Sequence, residues 1–201
     1  MMTVALKLIL ASQSASRRAM LEAAGVPFTA QPAMVDEDAA KAALDDLSPR
    51  DLADALAELK ALKVSQREPQ ALVLGSDSLA VLDDGTILSK PNDRAEAAEH
   101  LAMMSGKRHD LVSAAVIAEG GRPVWRHVDK ARMFVRPLSY SFIEAYLDVE
   151  WPAIAGCVGC YRMEGPGVQL FSRVEGSHFT VLGMPLMPLL GYLRERQVLP
   201  A

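Results

Sequence analysis

The chain is poor in the residues from which cross-links and metal centres are built. Its 201 residues include two cysteines and four histidines. Cys157 and Cys160 form one C-x-x-C pair, whereas a structural zinc usually takes four ligands. His100, His109, His127 and His178 are scattered and supply no clear second half. A redox pair belongs at the start of a helix after a strand. Here glycines and Tyr161 surround the cysteines, so two structural or incidental thiols are expected. No apolar run approaches the length of a membrane span. Residues 1–11 hold only a short apolar stretch containing Lys7, with no cleavage pattern after it, so no signal peptide is expected and a cytoplasmic location is the default. Positive charge is also in deficit: 21 Lys and Arg against 25 Asp and Glu give a net charge of −4. That balance, with no aromatic-basic stripe, argues against a general binder of nucleic acid or membrane surfaces. It leaves room for a local basic pocket that holds one phosphorylated small molecule. There is no GxGxxG or Walker sequence, no internal repeat and no low-complexity linker.

Half of the residues are hydrophobic and 23% are charged, a globular composition able to fill a core. The length predicts one domain over residues 1–201. Strands are expected at 6–11, 28–34 and 71–75, and helices at 17–24 and from Ser48-Pro49 to about 66. A hairpin of 79–82 and 86–88 turns at Asp83-Asp84-Gly85. Asp93 and Glu96 form a capping-box pattern for a helix ending near Gly106. A longer hairpin, 111–118 and 124–135, turns at Gly120-Gly121. A helix at 139–149, strands at 168–174 and 180–182, and a helix at 187–196 complete the chain. This mixture predicts an α/β fold with a mixed, largely antiparallel sheet and flanking helices.

The chemistry begins at Leu8-Ile9-Leu10-Ala11-Ser12-Gln13-Ser14-Ala15-Ser16-Arg17-Arg18-Ala19-Met20-Leu21. It reads as a buried strand, a hydroxyl-rich turn, two arginines and an amphipathic helix. Hydroxyls, backbone N–H groups at a helix start and two forked guanidiniums suit a phosphate. The plainer reading is a serine N-cap with solvated arginines. Glu37 ends a predicted strand in Val35-Asp36-Glu37-Asp38. Asp77 follows another in Gly75-Ser76-Asp77-Ser78, and Lys90 lies in Ser89-Lys90-Pro91. Singly, each could be a solvated turn charge. Together, Arg17, Arg18 and Lys90 would hold phosphates, while Asp77 and Glu37 would hold a bridging magnesium.

With these motifs the chain resembles the Maf family of nucleoside triphosphate pyrophosphatases. The resemblance rests on Leu10-Ala11-Ser12-Gln13-Ser14 with Arg17-Arg18, then Val35-Asp36-Glu37, Leu59-Lys60-Ala61, Leu74-Gly75-Ser76-Asp77 and Ser89-Lys90-Pro91. Ser105-Gly106-Lys107 with His109, then Gly159, Tyr161, Glu164 and Gly165, Val174-Glu175-Gly176-Ser177 and Leu182-Gly183-Met184-Pro185-Leu186 continue it in order. The resemblance implies an elongated, two-lobed structure with a central cleft, often a homodimer. It implies cleavage of a nucleoside triphosphate between the α and β phosphorus atoms with Mg2+ or Mn2+. Asp77 would be the catalytic acid, holding metal or activating water. Glu37 would assist with metal, and Ser14, Arg17, Arg18, Lys60 and Lys90 would bind the triphosphate.

Two departures bear on the substrate. Ala15-Ser16 stand where one family branch has a single Pro, an insertion resembling the 7-methyl-GTP branch. Glu164 stands where the dTTP/UTP branch has Gln. A carboxylate only accepts hydrogen bonds, so Glu164 could take the N1–H and N2–H groups of guanine or stabilise a positively charged methylated base. It could equally hold metal or water. A 7-methyl-GTP-like substrate is expected. The alternatives are a dTTP/UTP pyrophosphatase and a non-catalytic nucleotide-binding regulator of cell division.

Overall fold

The computed structural model describes residues 6–200; the first part of the stretch scanned for a leader, residues 1–5, lies outside the described residues, as does residue 201. β1 (Leu8–Leu10) and the first half of β3 (Leu72–Leu82) are buried apolar runs that pair in parallel, Leu8 with Leu72, Ile9 with Val73 and Leu10 with Leu74. Such unbroken hydrophobicity suits strands covered on both faces. β2 (Thr29–Ala30) adds in parallel to β1, and β4 (Ile87–Leu88) pairs antiparallel with the far end of β3. With β5 (Arg108–Glu119), β6 (Arg122–Val135) and β7 (Phe171–Glu175), the sheet order is β2-β1-β3-β5-β6-β7, with β4 on β3. The helices are α1 (Ala15–Ala23), α2 (Glu37–Ala43), α3 (Pro49–Ser65), α4 (Arg94–Met104), α5 (Tyr140–Glu150), α6 (His178–Val181) and α7 (Leu186–Glu195). The α/β class with a mixed, largely antiparallel sheet is therefore observed. No helix among the described residues is long and apolar enough to cross a membrane.

The described residues divide into two compact units. One contains the chain up to Asp77, Ser113–Asp129 and the chain from Gly183 onward; the other contains Ser78–Val112 and Lys130–Leu182. The first unit has a core of Ile9, Ala11, Ala33, Val64, Ala71 and Val73. The second packs Leu82, Leu101, Met104, Met133, Leu147 and Leu170 into its own core. There α4 packs on α5, and Arg94 ties the two through Glu144 and Asp148.

Caps set the helix starts where polar residues precede periodic apolar ones. Ser48 accepts from the Asp51 N–H, with Pro49 in the first turn of α3, and Asp93 accepts from the Glu96 N–H at α4. The reciprocal half of the capping box is displaced by one residue: Glu96 accepts from the N–H of Asn92.

Five expected elements differ. Residues 71–75 and 79–82 are parts of one continuous strand, β3, because the polar Gly-Ser-Asp-Ser stretch finds its partners inside the protein. Only Thr29–Ala30 of the expected strand 28–34 pairs, since Pro27 and Pro32 carry no N–H to donate. The acidic run after it caps and opens α2, with Asp36 accepting from the Ala39 N–H. Residues 180–182 are helical: the Val181 and Leu182 N–H groups bond to Ser177 and His178 carbonyls, overriding the β preference of Thr180 and Val181. The strand expected from 168 starts at Phe171, after a 3₁₀ turn over Pro166–Leu170.

A helix comes tight against the sheet at Gly75. A Cβ built there would stand 2.1 Å from the Ala57 carbonyl oxygen and 2.6 Å from the Ala61 nitrogen, both backbone atoms of α3. Gly75→Ala must push α3 off β3. We expect a loss of about 2–3 kcal/mol, read as a fall in Tm of roughly 5–10 °C; an unchanged Tm would refute the close packing.

In the second unit, His109 is buried with its Nε2 2.7 Å from the Tyr161 hydroxyl, and both rings pack with Phe171. Burial pushes the His109 imidazole down to about 4. As pH falls below the ordinary value near 6.5, the unfolded chain takes the proton first. Stability present above that pH is thus lost between about 6.5 and 4. Urea unfolding of His109→Gln should lose less stability than wild type between pH 7 and 4.5; parallel pH curves would remove His109 from the acid response.

Candidate active site

The site grows from three neighbouring elements of the first unit. Asp77 lies inside β3, on the same face as Gly75, two residues away along the pleat. The missing side chain at Gly75 brings α3 close. Lys60 belongs to the buried stripe of that helix, with Leu52, Ala53, Leu56, Ala57, Ala61 and Val64. Its ammonium meets Asp77 Oδ1 at 2.6 Å and Glu37 Oε1 at 2.7 Å. Glu37 is the first residue of α2. Lys60 is 7% exposed and Asp77 5%, so this pair stands largely away from water, while Glu37 is part-exposed. A lysine on a helix ordinarily reads as part of a solvated face; its place between Leu56 and Val64 in the apolar repeat was the signal of burial.

Asp77 Oδ2 is buried and has no hydrogen-bond partner. Buried carboxylate oxygens are normally satisfied, and an open one beside a second carboxylate suits a hard divalent cation. Among the described residues no group of three or more His, Cys, Asp or Glu gathers as a metal cage. Asp77 and Glu37 therefore fit a cation that completes its shell with water and phosphate oxygens, the habit of magnesium.

The turn after β1 supplies the next layer. Ser14 caps α1, its hydroxyl accepting from the Arg17 N–H at 3.3 Å. The two arginines diverge. Arg18 is exposed, whereas Arg17 is 9% exposed, with Nη1 3.2 Å from Ser12 Oγ. Burial pulls the Arg17 guanidinium below its ordinary value, and the negative charges of Asp77 and Glu37 oppose that pull. The structure thus gathers Glu37, Lys60 and Asp77 by direct contact and sets Arg17 within their electrostatic reach. Ser12, one of the turn hydroxyls that suit a phosphate or a plain turn, enters as a partner of Arg17.

Lys90 and Glu164 belong to the second unit, and both are exposed. They share a neighbourhood there: Cys157, whose thiol burial pushes up, feels Glu164 raising it further and Lys90 lowering it. Cys157 and Cys160 are not bridged. Burial pushes the Cys160 thiol up to about 12, which leaves little of the reactive thiolate.

Comparison with known proteins agrees with the motifs. The family model described as "Maf-like protein" matches residues 7–196. A nucleoside triphosphate pyrophosphatase of Sphingopyxis alaskensis is 51% identical over 195 residues, covering 96% of this chain and 98% of the relative. One of Ruegeria pomeroyi is 52% identical over 195 residues, covering 96% and 97%. One of Granulibacter bethesdensis is 46% identical over 196 residues, covering 96% and 99%. Among solved structures, a nucleoside-triphosphatase / dITP/XTP pyrophosphatase of Mycobacterium abscessus gives a TM-score of 0.46 at 15% identity, covering 98% of this chain and 100% of that one. With the family model matching residues 7–196, nearly the whole chain, and relatives at about half identity, this chain belongs to the Maf-like protein family.

Proposed function

We propose that the protein hydrolyses a nucleoside triphosphate to the monophosphate and pyrophosphate. The observation that carries this reading is the state of Asp77: one carboxylate oxygen is held by Lys60, and the other is buried with no hydrogen-bond partner. The names of the full-length relatives support the same reaction class.

Charge balance explains the parts. The buried cations Lys60 and Arg17 are matched by the carboxylates Asp77 and Glu37. That set is formally neutral and leaves a triphosphate uncompensated. Arg18 on α1 supplies exposed positive charge and Ser14 offers a hydroxyl at the turn; the motif resemblance adds Lys90 as a further phosphate ligand. A divalent ion, Mg2+ or Mn2+, held by Asp77 and Glu37 would supply the remaining charge neutralisation and polarise the phosphoryl group. With Oδ1 of Asp77 on Lys60, Oδ2 is the oxygen that in this reading either holds the ion or takes the proton of the attacking water. Lys60 holds that carboxylate in place through Oδ1, and Arg17 adds positive charge within its electrostatic reach.

For the base we propose a modified purine of the 7-methyl-GTP kind. The support is the Ala15-Ser16 insertion before Arg17 and the exposed carboxylate of Glu164, an acceptor only. A Gln amide, donor and acceptor at once, would suit uracil or thymine.

The decisive assay is pyrophosphate release from 7-methyl-GTP, GTP, ITP, dTTP, UTP and CTP with Mg2+ or Mn2+. Turnover of at least one is expected, stopping on chelation. Asp77→Asn should lower kcat at least roughly 100-fold. Tm should fall by several degrees, because Asn keeps the shape but leaves Lys60 with Glu37 as its carboxylate partner, so kcat is read well below the variant's Tm. Folded protein that turns over none of these nucleotides with either metal would favour a nucleotide-binding regulator instead.

Base choice is tested separately. Glu164→Gln should move the ratio of kcat/KM for 7-methyl-GTP over dTTP by about tenfold or more toward dTTP. A ratio that stays put would remove Glu164 as the selector.

A further inference from the structure

The segment Leu182-Gly183-Met184-Pro185-Leu186 has no part in the chemistry above, yet its backbone reaches the site. Gly183 is buried, with a φ of +103° that side chains of L-residues rarely adopt. Its carbonyl oxygen lies 2.8 Å from Arg17 Nε and 3.2 Å from Ser76 Oγ. Ser76 is fully buried and also reaches the Ala114 carbonyl at 2.8 Å, sharing its single proton between the two acceptors. Arg17 in turn gives Nη1–H to Ser12 Oγ. A planar guanidinium gripped through Nε and Nη1 is fixed in both position and plane, which no ammonium could match.

We infer that the Gly183 carbonyl is a positioning group for the reaction: it anchors the guanidinium of Arg17 and, through Ser76, refers it to the strand residue next to Asp77. The inference rests on the pyrophosphatase reading. The physical case has three parts. A buried cation needs an acceptor, and a carbonyl on a charged donor makes a strong one. The glycine conformation sets where that carbonyl stands. The charge it holds acts on Asp77 and Glu37, so slackening the clamp should act on turnover and not only on folding. Ser12 completes the clamp from the other side.

The test is a double-variant cycle on the nucleotide that the wild type turns over best, with kcat, KM and Tm measured well below every Tm. Gly183→Ala and Arg17→Lys should each lower kcat by about tenfold or more, with KM changing less. The double variant should fall within about threefold of the worse single, since both changes remove one contact. Ser12→Ala should lower kcat severalfold, and Ser12→Thr, which keeps the hydroxyl, should restore it to within about twofold. Losses that multiply in the double variant would overturn the clamp, as would single variants with wild-type kcat or a failure of Thr to rescue. Should Gly183→Ala fail to fold, the cycle of Ser76→Ala with Arg17→Lys reads the same coupling, and the Ser12 pair stands. A wild type that turns over no nucleotide would overturn the pyrophosphatase reading, and this inference with it.

Discussion

Everything in the first unit is arranged around one ammonium group out of water. Lys60 lies in the apolar stripe of α3, where an unpaired charge would be prohibitive, and two carboxylates reach it from different elements. Removing one partner from a buried pair typically costs about 3–5 kcal/mol. The triad therefore constrains the chain at three places: α3 must lie tight on β3, β3 must stay extended through its polar stretch, and α2 must start where Glu37 can turn inward. Gly75 meets the first demand by having no Cβ, and the Ser76 hydroxyl meets the second by bonding across to the Ala114 carbonyl.

The same electrostatics join Arg17 to the site. A guanidinium loses its water shell on burial, and its compensation comes from polar acceptors and nearby anions together. Ser12, Gly183, Asp77 and Glu37 share that task. The pair Arg17-Arg18 shows how adjacent residues on a helix, about 100° apart, part company: Arg17 faces inward and Arg18 faces water.

Much of this was legible in the residues, and the gaps have physical causes. Ser48-Pro49 and Asp93 mark helix starts because a cap acts locally, with a hydroxyl or carboxylate bonding an N–H three residues on. The gathering of Glu37, Lys60 and Asp77 was signalled by motif order and not by spacing, since their contacts span 17 residues and more. The uninterrupted run of β3 was hidden because Gly, Ser, Asp and Ser are turn formers in isolation; only the tertiary partners of Ser76 and Asp77 make them strand residues. α6 was hidden for the opposite reason, β-branched residues in a segment that bonds to itself. Ser12 and Gly183 could not be ranked beforehand, since one acts through a hydroxyl and the other through a carbonyl oxygen every residue possesses.

The two carboxylates on Lys60 are not equally held. Asp77 is built into the long central strand, so shifting it means breaking backbone pairing. Glu37 opens α2, a seven-residue helix with no buried side chain, and pairs with Lys60 from there. One carboxylate is a fixture of the sheet. The other is tethered to a surface turn, so the stiffness of the site is uneven. Were the proposed triphosphate to compete for Lys60, the partner easier to displace would be Glu37 and not Asp77.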